Sequence, residues 1–204
     1  MDASRRCGTQ PMSDHMDTLT VERCQDLFKR HGDIFLADTR EVVRAIRKSN
    51  SDDGLTNSNY FHALTLTHVM LEHTSYNFRM LTGPDGDDCL RCLGSAFRDM
   101  ISLVKNAGNK ARVIMLDCTP KHILKFKEDF GDVFDFKTAT ASEGSDIRHF
   151  IVCDDDMTRI EQPHDRVQSK DSAASIKAKV NFSDKAKARI YTSQFDRIWE
   201  FLGD

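Results

Sequence analysis

The sequence predicts an α/β fold: a mixed, mostly parallel sheet flanked by helices, with a helical extension at the N-terminus. Three observations predict it. Residues 111–116 (ARVIML) are an almost unbroken apolar run ending at Asp117, the pattern of a strand buried on both faces of a parallel sheet. Segments of helical period alternate with segments of strand period through the middle of the chain. Residues 148–161 then hold two strand-like runs around Asp155-Asp156, an antiparallel hairpin, followed by one more strand and a helix.

The elements follow in order. Residues 1–17 are polar and aperiodic and contain Gly8 and Pro11, which predicts a flexible tail. Residues 18–57 are read as the helical extension. Helical period starts near Thr20 with Val21, Cys24, Leu27 and Phe28. It resumes after His31-Gly32 with Phe35, Leu36, Val42, Val43 and Ile46, which predicts two helices or one broken helix. Residues 49–54 (SNSDDG) are a loop by composition. Residues 59–73 read as a helix, and residues 76–81 as a strand that stops at the turn Thr82-Gly83-Pro84-Asp85-Gly86.

Leu93, Phe97, Met100, Ile101 and Val104 mark the next helix, which Gly108 stops. After strand 111–116, Thr119 is placed to cap a helix with Pro120 in its first turn. Gly131 closes that helix, and Val133, Phe134 and Phe136 mark a strand. Past the hairpin and a polar loop with Pro163, residues 176–180 alternate as a strand. A final helix from about Ser183 places Ile190, Phe195, Ile198, Trp199 and Leu202 on its apolar face.

Bulk properties bound the function. A chain of 204 residues buries roughly 70% of its unfolded surface and needs no disulfide staples. At 39% hydrophobic and 30% charged, it is neither disordered nor fibrous in composition. No apolar run reaches the ~18 residues of a membrane span, and the N-terminus lacks the apolar stretch of a secretory signal. The six cysteines are few and scattered, and Cys118 and Cys153 sit in or beside apolar runs as small hydrophobes. A cytoplasmic protein of a reducing compartment is expected. The net charge of −3 does not advertise a nucleic-acid protein. A local basic run, Lys177, Lys179, Lys185, Lys187 and Arg189 against Asp184, reads as a solvated helix face or a phosphate contact.

Several patterns could carry chemistry. Cys89 and Cys92 form a CxxC that, at a helix start, would be a redox pair or half a zinc site. Its second half is missing, and an acidic Gly-rich loop precedes it. The loop Asp85-Gly86-Asp87-Asp88 lacks the spaced ligands of a calcium loop. His62, His68 and His73 do not share one helix face, so no metal and no cofactor is expected. Dinucleotide, P-loop, nucleophile-elbow and zincin motifs are absent from the sequence.

The most informative stretch is residues 149–156 (HFIVCDDD). It resembles the H-x-K-x4-D motif of the phospholipase D-like superfamily, with His149 on the His, Asp156 on the Asp and Ile151 replacing the Lys. The surrounding elements resemble that family from about Asn59 to the C-terminus: strand 79–83, strand 112–117, and Asn181-Phe182 before a helix with Phe195-Asp196-Arg197-Ile198-Trp199. The resemblance implies that residues 58–204 are a phospholipase D-like domain. It implies His149 as nucleophile toward phosphorus, and two motifs meeting across a two-fold axis or dimer interface. With one motif per chain, activity would require a homodimer. An isoleucine cannot donate to a phosphoryl oxygen, and losing one charge-stabilising donor costs ~3–4 kcal/mol. The Gly-Ser-x-Asn that follows the motif is also absent; Asn181 comes only after a long hairpin and loop.

Arg148 and Arg159 are candidate phosphate ligands, since arginine grips phosphate bidentately, and Glu161, Lys179 and Asn181 complete the expected ligand-binding set. Two readings result. The first is a pseudoenzyme that binds a phosphate-bearing ligand (nucleic acid or a phospholipid headgroup) or a protein partner, with the N-terminal helices as the surface for dimerisation or partner contact. The second is a homodimeric, metal-independent phosphodiesterase or nuclease using His149. A CxxC redox protein is a third, weaker reading.

Overall fold

The computed structural model describes residues 21–57, 59–117, 119–141, 147–162 and 176–203. The tail, Cys7, Cys118 and the loop around Pro163 lie outside them. The chain opens with α1 (Val21–Ser49), β1 (Gly54–Asn57) and α2 (Tyr60–His73). β2 (Phe78–Thr82), α3 (Pro84–Cys92), α4 (Gly94–Asn106), β3 (Ala111–Leu116) and α5 (Ile123–Phe130) follow. Then come a 3-10 turn (Gly131–Val133), β4 (Phe134–Ala139), β5 (Phe150–Cys153), β6 (Met157–Glu161), β7 (Ala178–Asn181) and α6 (Lys185–Phe201).

Seven strands form one mixed sheet in the order β1-β7-β6-β5-β2-β3-β4. Parallel pairing is confined to β2–β3 and β3–β4, where α3–α4 and α5 supply the crossovers. The pairs β2–β5, β5–β6, β6–β7 and β1–β7 are antiparallel. Two cores result. One face of the sheet (Met80, Val113, Ile151, Val180) packs under α2, α3, α4 and α5, with α1 outside α2. The other face (Leu81, Ile114, Phe150, Val152) packs under α6 through Phe195 and Trp199. A phenylalanine cluster anchors the first core, with Phe97 edge-on to Phe78, Phe126 and Phe134 at 4.8–5.8 Å.

Five expectations are corrected. The break at His31-Gly32 does not occur: α1 is continuous. A mid-helix glycine costs only ~1 kcal/mol, and Gly32 lies on the buried face between Phe28 and Leu36, so the apolar stripe runs through it. The turn after β2 is a helix, since Pro84 begins α3 directly after Gly83. Consequently Cys89 and Cys92 lie at the end of a helix, not at its start. α5 begins at Ile123 rather than near Thr119, and Asp87 of α3 supplies its cap. The basic run at 177–189 is divided between β7 and α6 rather than forming one helix face. Ile190 is 62% exposed, off the buried face of α6, which is held by Phe195 and Ala188. The sequence also gave no sign of β1, which sits directly after the loop signal at residues 49–54.

Candidate functional site

The site lies at one end of the sheet, where topology already singles out a position. β2 leads through α3 and α4 to β3 on one side, while its other neighbour, β5, comes much later in the chain. Such a reversal of strand order leaves a crevice at the carboxyl end of the strand. The C-terminal end of β2, the N-terminal end of β5, the C-terminal end of β6 and the start of β7 meet there. The N-termini of α2 and α3 reach the same cavity through Tyr60 and Gly86.

His149 immediately precedes β5 and alternates with Ile151 onto the helix-covered face. Its Nδ1 is 3.1 Å from Glu161 Oε2 at the end of β6. Arg159, two residues earlier on β6, donates from Nη1 to the other carboxylate oxygen, Glu161 Oε1. Period two places Arg159 and Glu161 on one face, so a single carboxylate bridges imidazole and guanidinium. The side chains of Arg159 and Glu161 are 6% and 13% exposed and that of His149 is 22%, so the cluster is largely desolvated. Gly83 closes the other side. A Cβ there would lie 2.9 Å from His149 Cε1, so only glycine lets the imidazole rest against the end of β2.

Ile151 is buried at 3%, and its cross-strand partner is Arg159. An aliphatic residue is thus paired across the strands with a buried arginine. The guanidinium Nε has no hydrogen-bond partner among the described residues. These residues line a cavity of about 30 Å³ with Thr82, Cys89 and Tyr60. That is room for about one water. Burial pushes the Cys89 thiol up to about 12, only partly opposed by Arg159. Burial likewise pushes the Tyr60 phenol up.

The structure brings together His149, Arg159 and Glu161 and separates the other expected residues from them. Asp156 lies at the far end of β5, roughly 16 Å along the strand. It is in the hairpin turn, where Arg47 of α1 reaches it at 3.3 Å. Burial pushes the Asp156 carboxyl up, against the pull of Arg47. In the same turn Asp154, at φ +51, accepts the backbone N–H groups of Ser75, Tyr76 and Asn77. The acidic turn is thus a structural clamp. Asn181 is buried and donates to the Asp52 carbonyl at 2.7 Å, fixing the approach to β1. Lys179 is exposed and pairs across the strand with Ile160, which faces α6, so it points away from the cavity. Arg148 is exposed beside His149, on the opposite face of the strand.

Cys89 and Cys92 are thiols, and burial raises both. A helix C-terminus also disfavours a thiolate, so the arrangement opposes the redox reading. Among the described residues no group of three His, Cys, Asp or Glu side chains is placed to hold a metal, and no helix is long and apolar enough to cross a membrane. Tyr60, Thr82 and Gly83 belong to the site but carried no sequence signal. Thr82 and Gly83 stood inside a turn pattern, and Tyr60 lay at the start of a helical stretch.

No protein-family model matches the chain, and no curated protein matches it. Solved structures are similar in fold. TrmBL2, an archaeal chromatin protein whose structure shows a novel mode of DNA binding, is 10% identical, with 88% of this chain and 67% of that one covered at a TM-score of 0.53. Nuc, a phospholipase D family member from Salmonella typhimurium, is 12% identical over 72% of this chain and 95% of that one, at a TM-score of 0.45. NucT from Helicobacter pylori is 10% identical over 72% and 97%, at 0.44. At such identities the likeness concerns the arrangement of the chain alone, and the two lower scores add no argument to it.

Proposed function

We propose that the chain is a phospholipase D-like pseudoenzyme that binds a phosphate-bearing ligand at the His149–Arg159 end of its sheet and does not cleave it. One observation carries this reading. The lysine position of the motif is the buried Ile151, and the nearest cation, Arg159, is already bound to Glu161. A charge engaged by a buried carboxylate is a poor stabiliser of the charge that develops on a phosphoryl group. Two helix N-termini and the exposed Arg148 at the same end still favour an anion outside that cavity. TrmBL2, similar in fold, binds DNA, and nucleic acid is the first ligand to test.

The test titrates a labelled oligonucleotide across a salt series while assaying cleavage without added metal. Binding that weakens steeply with salt and leaves the oligonucleotide intact is expected, because neutralised phosphates release counterions. Binding indifferent to salt overturns the phosphate reading in favour of a protein partner. Cleavage that vanishes in His149→Ala overturns the pseudoenzyme reading. It would support the alternative, a homodimeric phosphodiesterase or nuclease. That alternative has one observation in its favour: Glu161 holds the His149 imidazole in a fixed orientation, as a general nucleophile needs.

A further inference from the structure

α1 presents a stripe of residues that the rest of the described chain covers only in part: Leu27 packs at the edge of the core and Phe35 lies edge-on to Phe61 at 4.8 Å. Ile34 is 66% exposed, and Phe35 and Val42 are each 46% exposed. Leu27, His31 and Asp38 extend the same stripe at spacings of three and four residues, one face of a helix. Beside it runs an apolar groove of about 290 Å³ between α1, α2 and the edge strand β1. Phe35 and Val42 form one wall, and Leu55, Phe61 and Leu66 form the rest. Soluble chains rarely leave a contiguous apolar face of this kind without a use for it.

The order of residues along the stripe identifies the occupant. Read about a point between Ile34 and Phe35, it is its own complement in the antiparallel sense. Leu27 falls opposite Val42, His31 opposite Asp38, and Ile34 opposite Phe35. Apolar meets apolar and imidazole meets carboxylate, and each contact occurs twice. That is the signature of an isologous two-fold interface, in which the same patch serves both copies. The matched stretch is about 22 Å long. We propose that α1 pairs antiparallel with α1 of a second copy of this chain, with Ile34 of each copy packing on the Phe35 wall of the other's groove. This surface is independent of the site at His149, and its failure would leave the reading of that site untouched.

Sedimentation equilibrium of the full chain tests the proposal. All the substituted side chains are on the exposed face of α1, so the fold should survive, and an unchanged melting temperature checks it. The wild type is expected to dimerise with Kd below about 10 µM, and Ile34→Asp to weaken that at least about a hundredfold. His31→Asp sets two pairs of carboxylates against each other and is expected to weaken it about tenfold. The double variant His31→Asp/Asp38→Lys recreates opposite charges in the same register, and should return Kd to within about threefold of wild type. A wild type that stays monomeric at about 100 µM, well above that Kd, overturns the proposal. So does a dimer that Ile34→Asp leaves intact. A double variant no tighter than His31→Asp refutes the register.

Discussion

Asp87→Ala should loosen α5 and destabilise the whole chain by about 2–4 kcal/mol. Asp87 belongs to α3, yet its carboxylate accepts from three successive backbone N–H groups at the start of α5: Lys121 at 3.1 Å, His122 at 3.0 Å and Ile123 at 2.9 Å. α5 has eight residues and no side-chain cap of its own, and a helix this short does not hold in water without help. Removing the acceptor leaves three donors bare. Water can reach those of Lys121 and His122, whose residues are exposed or half-buried, whereas that of Ile123 is buried. A lost bond to a charged group contributes ~1.5–3 kcal/mol when the donor stays dry, and less when water replaces it. One dry donor and two wet ones give the range stated. At about 2–4 °C per kcal/mol for a chain of this size, the melting point should fall by roughly 5–15 °C. Urea unfolding at fixed pH measures the loss as a lower midpoint with an unchanged slope. Asp88→Ala is the control: its carboxylate is 54% exposed and, among the described residues, forms ion pairs with Arg91 at 3.6 Å on the same helix and with His122 at 3.9 Å, so it should change stability by no more than ~0.5 kcal/mol. If Asp87→Ala stays within about 1 kcal/mol of wild type, the cap from α3 does not hold α5 and the reasoning fails.

Gly83→Ala should displace the His149 imidazole, because the added Cβ would lie 2.9 Å from its Cε1. The expected signature is a shifted His149 ring resonance with a loss of ~1–3 kcal/mol, and an unchanged ring signal would show that the imidazole does not rest there. Cys89, with its thiol pushed up to about 12, should be alkylated at pH 8 roughly a thousandfold more slowly than an ordinary cysteine, from its thiolate fraction alone. Mass-spectrometric timing of iodoacetamide labelling checks this, and rapid labelling of the folded protein would reopen the redox reading.

The parts of the fold legible in the sequence are those whose cause is local. The apolar run 111–116 is β3 because a strand buried on both faces needs no polar alternation, and it lies between β2 and β4. The helix after residue 59 was legible because its cap is two residues from its first turn: Asn59 accepts from His62 N. What was illegible has its cause elsewhere in the chain. β1 exists because Gly54 through Asn57 pair with β7, more than a hundred residues later. α5 begins at Ile123 because Asp87 caps it from α3. The continuity of α1 depends on Phe61 and His68 of α2, against which Phe28 packs. The same division runs through the site. Arg159 and Glu161 were legible on one face, since strand period two puts them there, while His149 joins them only through the register of the hairpin. Asp156 was misplaced: the motif supplies a residue type at a distance along the chain, and here the turn uses it to hold Arg47.

On the proposed reading, Ile151 and Arg159 would let a phosphate site keep a cation and still lose its chemistry. The two are cross-strand partners, so moving a cation from one to the other displaces it by only about 5 Å. Such a step keeps a cation at this end of the sheet but pairs it with Glu161, so on the proposed reading the pull on an anion comes from the exposed Arg148 and the helix N-termini. What it does not preserve is availability. A lysine beside the imidazole would present three rotatable donors to the reacting group. Arg159 instead has one arm of its fork on Glu161, which also holds His149. His149 and one arm of Arg159 are thereby held by Glu161 rather than by a ligand, while the guanidinium Nε has no hydrogen-bond partner among the described residues; a phosphate taking the engaged arm would have to break a buried ion pair, whose rupture costs about 3–5 kcal/mol. That penalty is of the size of a whole charge-stabilising contact in a transition state. On the proposed reading, electrostatic attraction at the mouth therefore survives in this arrangement, while differential stabilisation at the reacting atom does not.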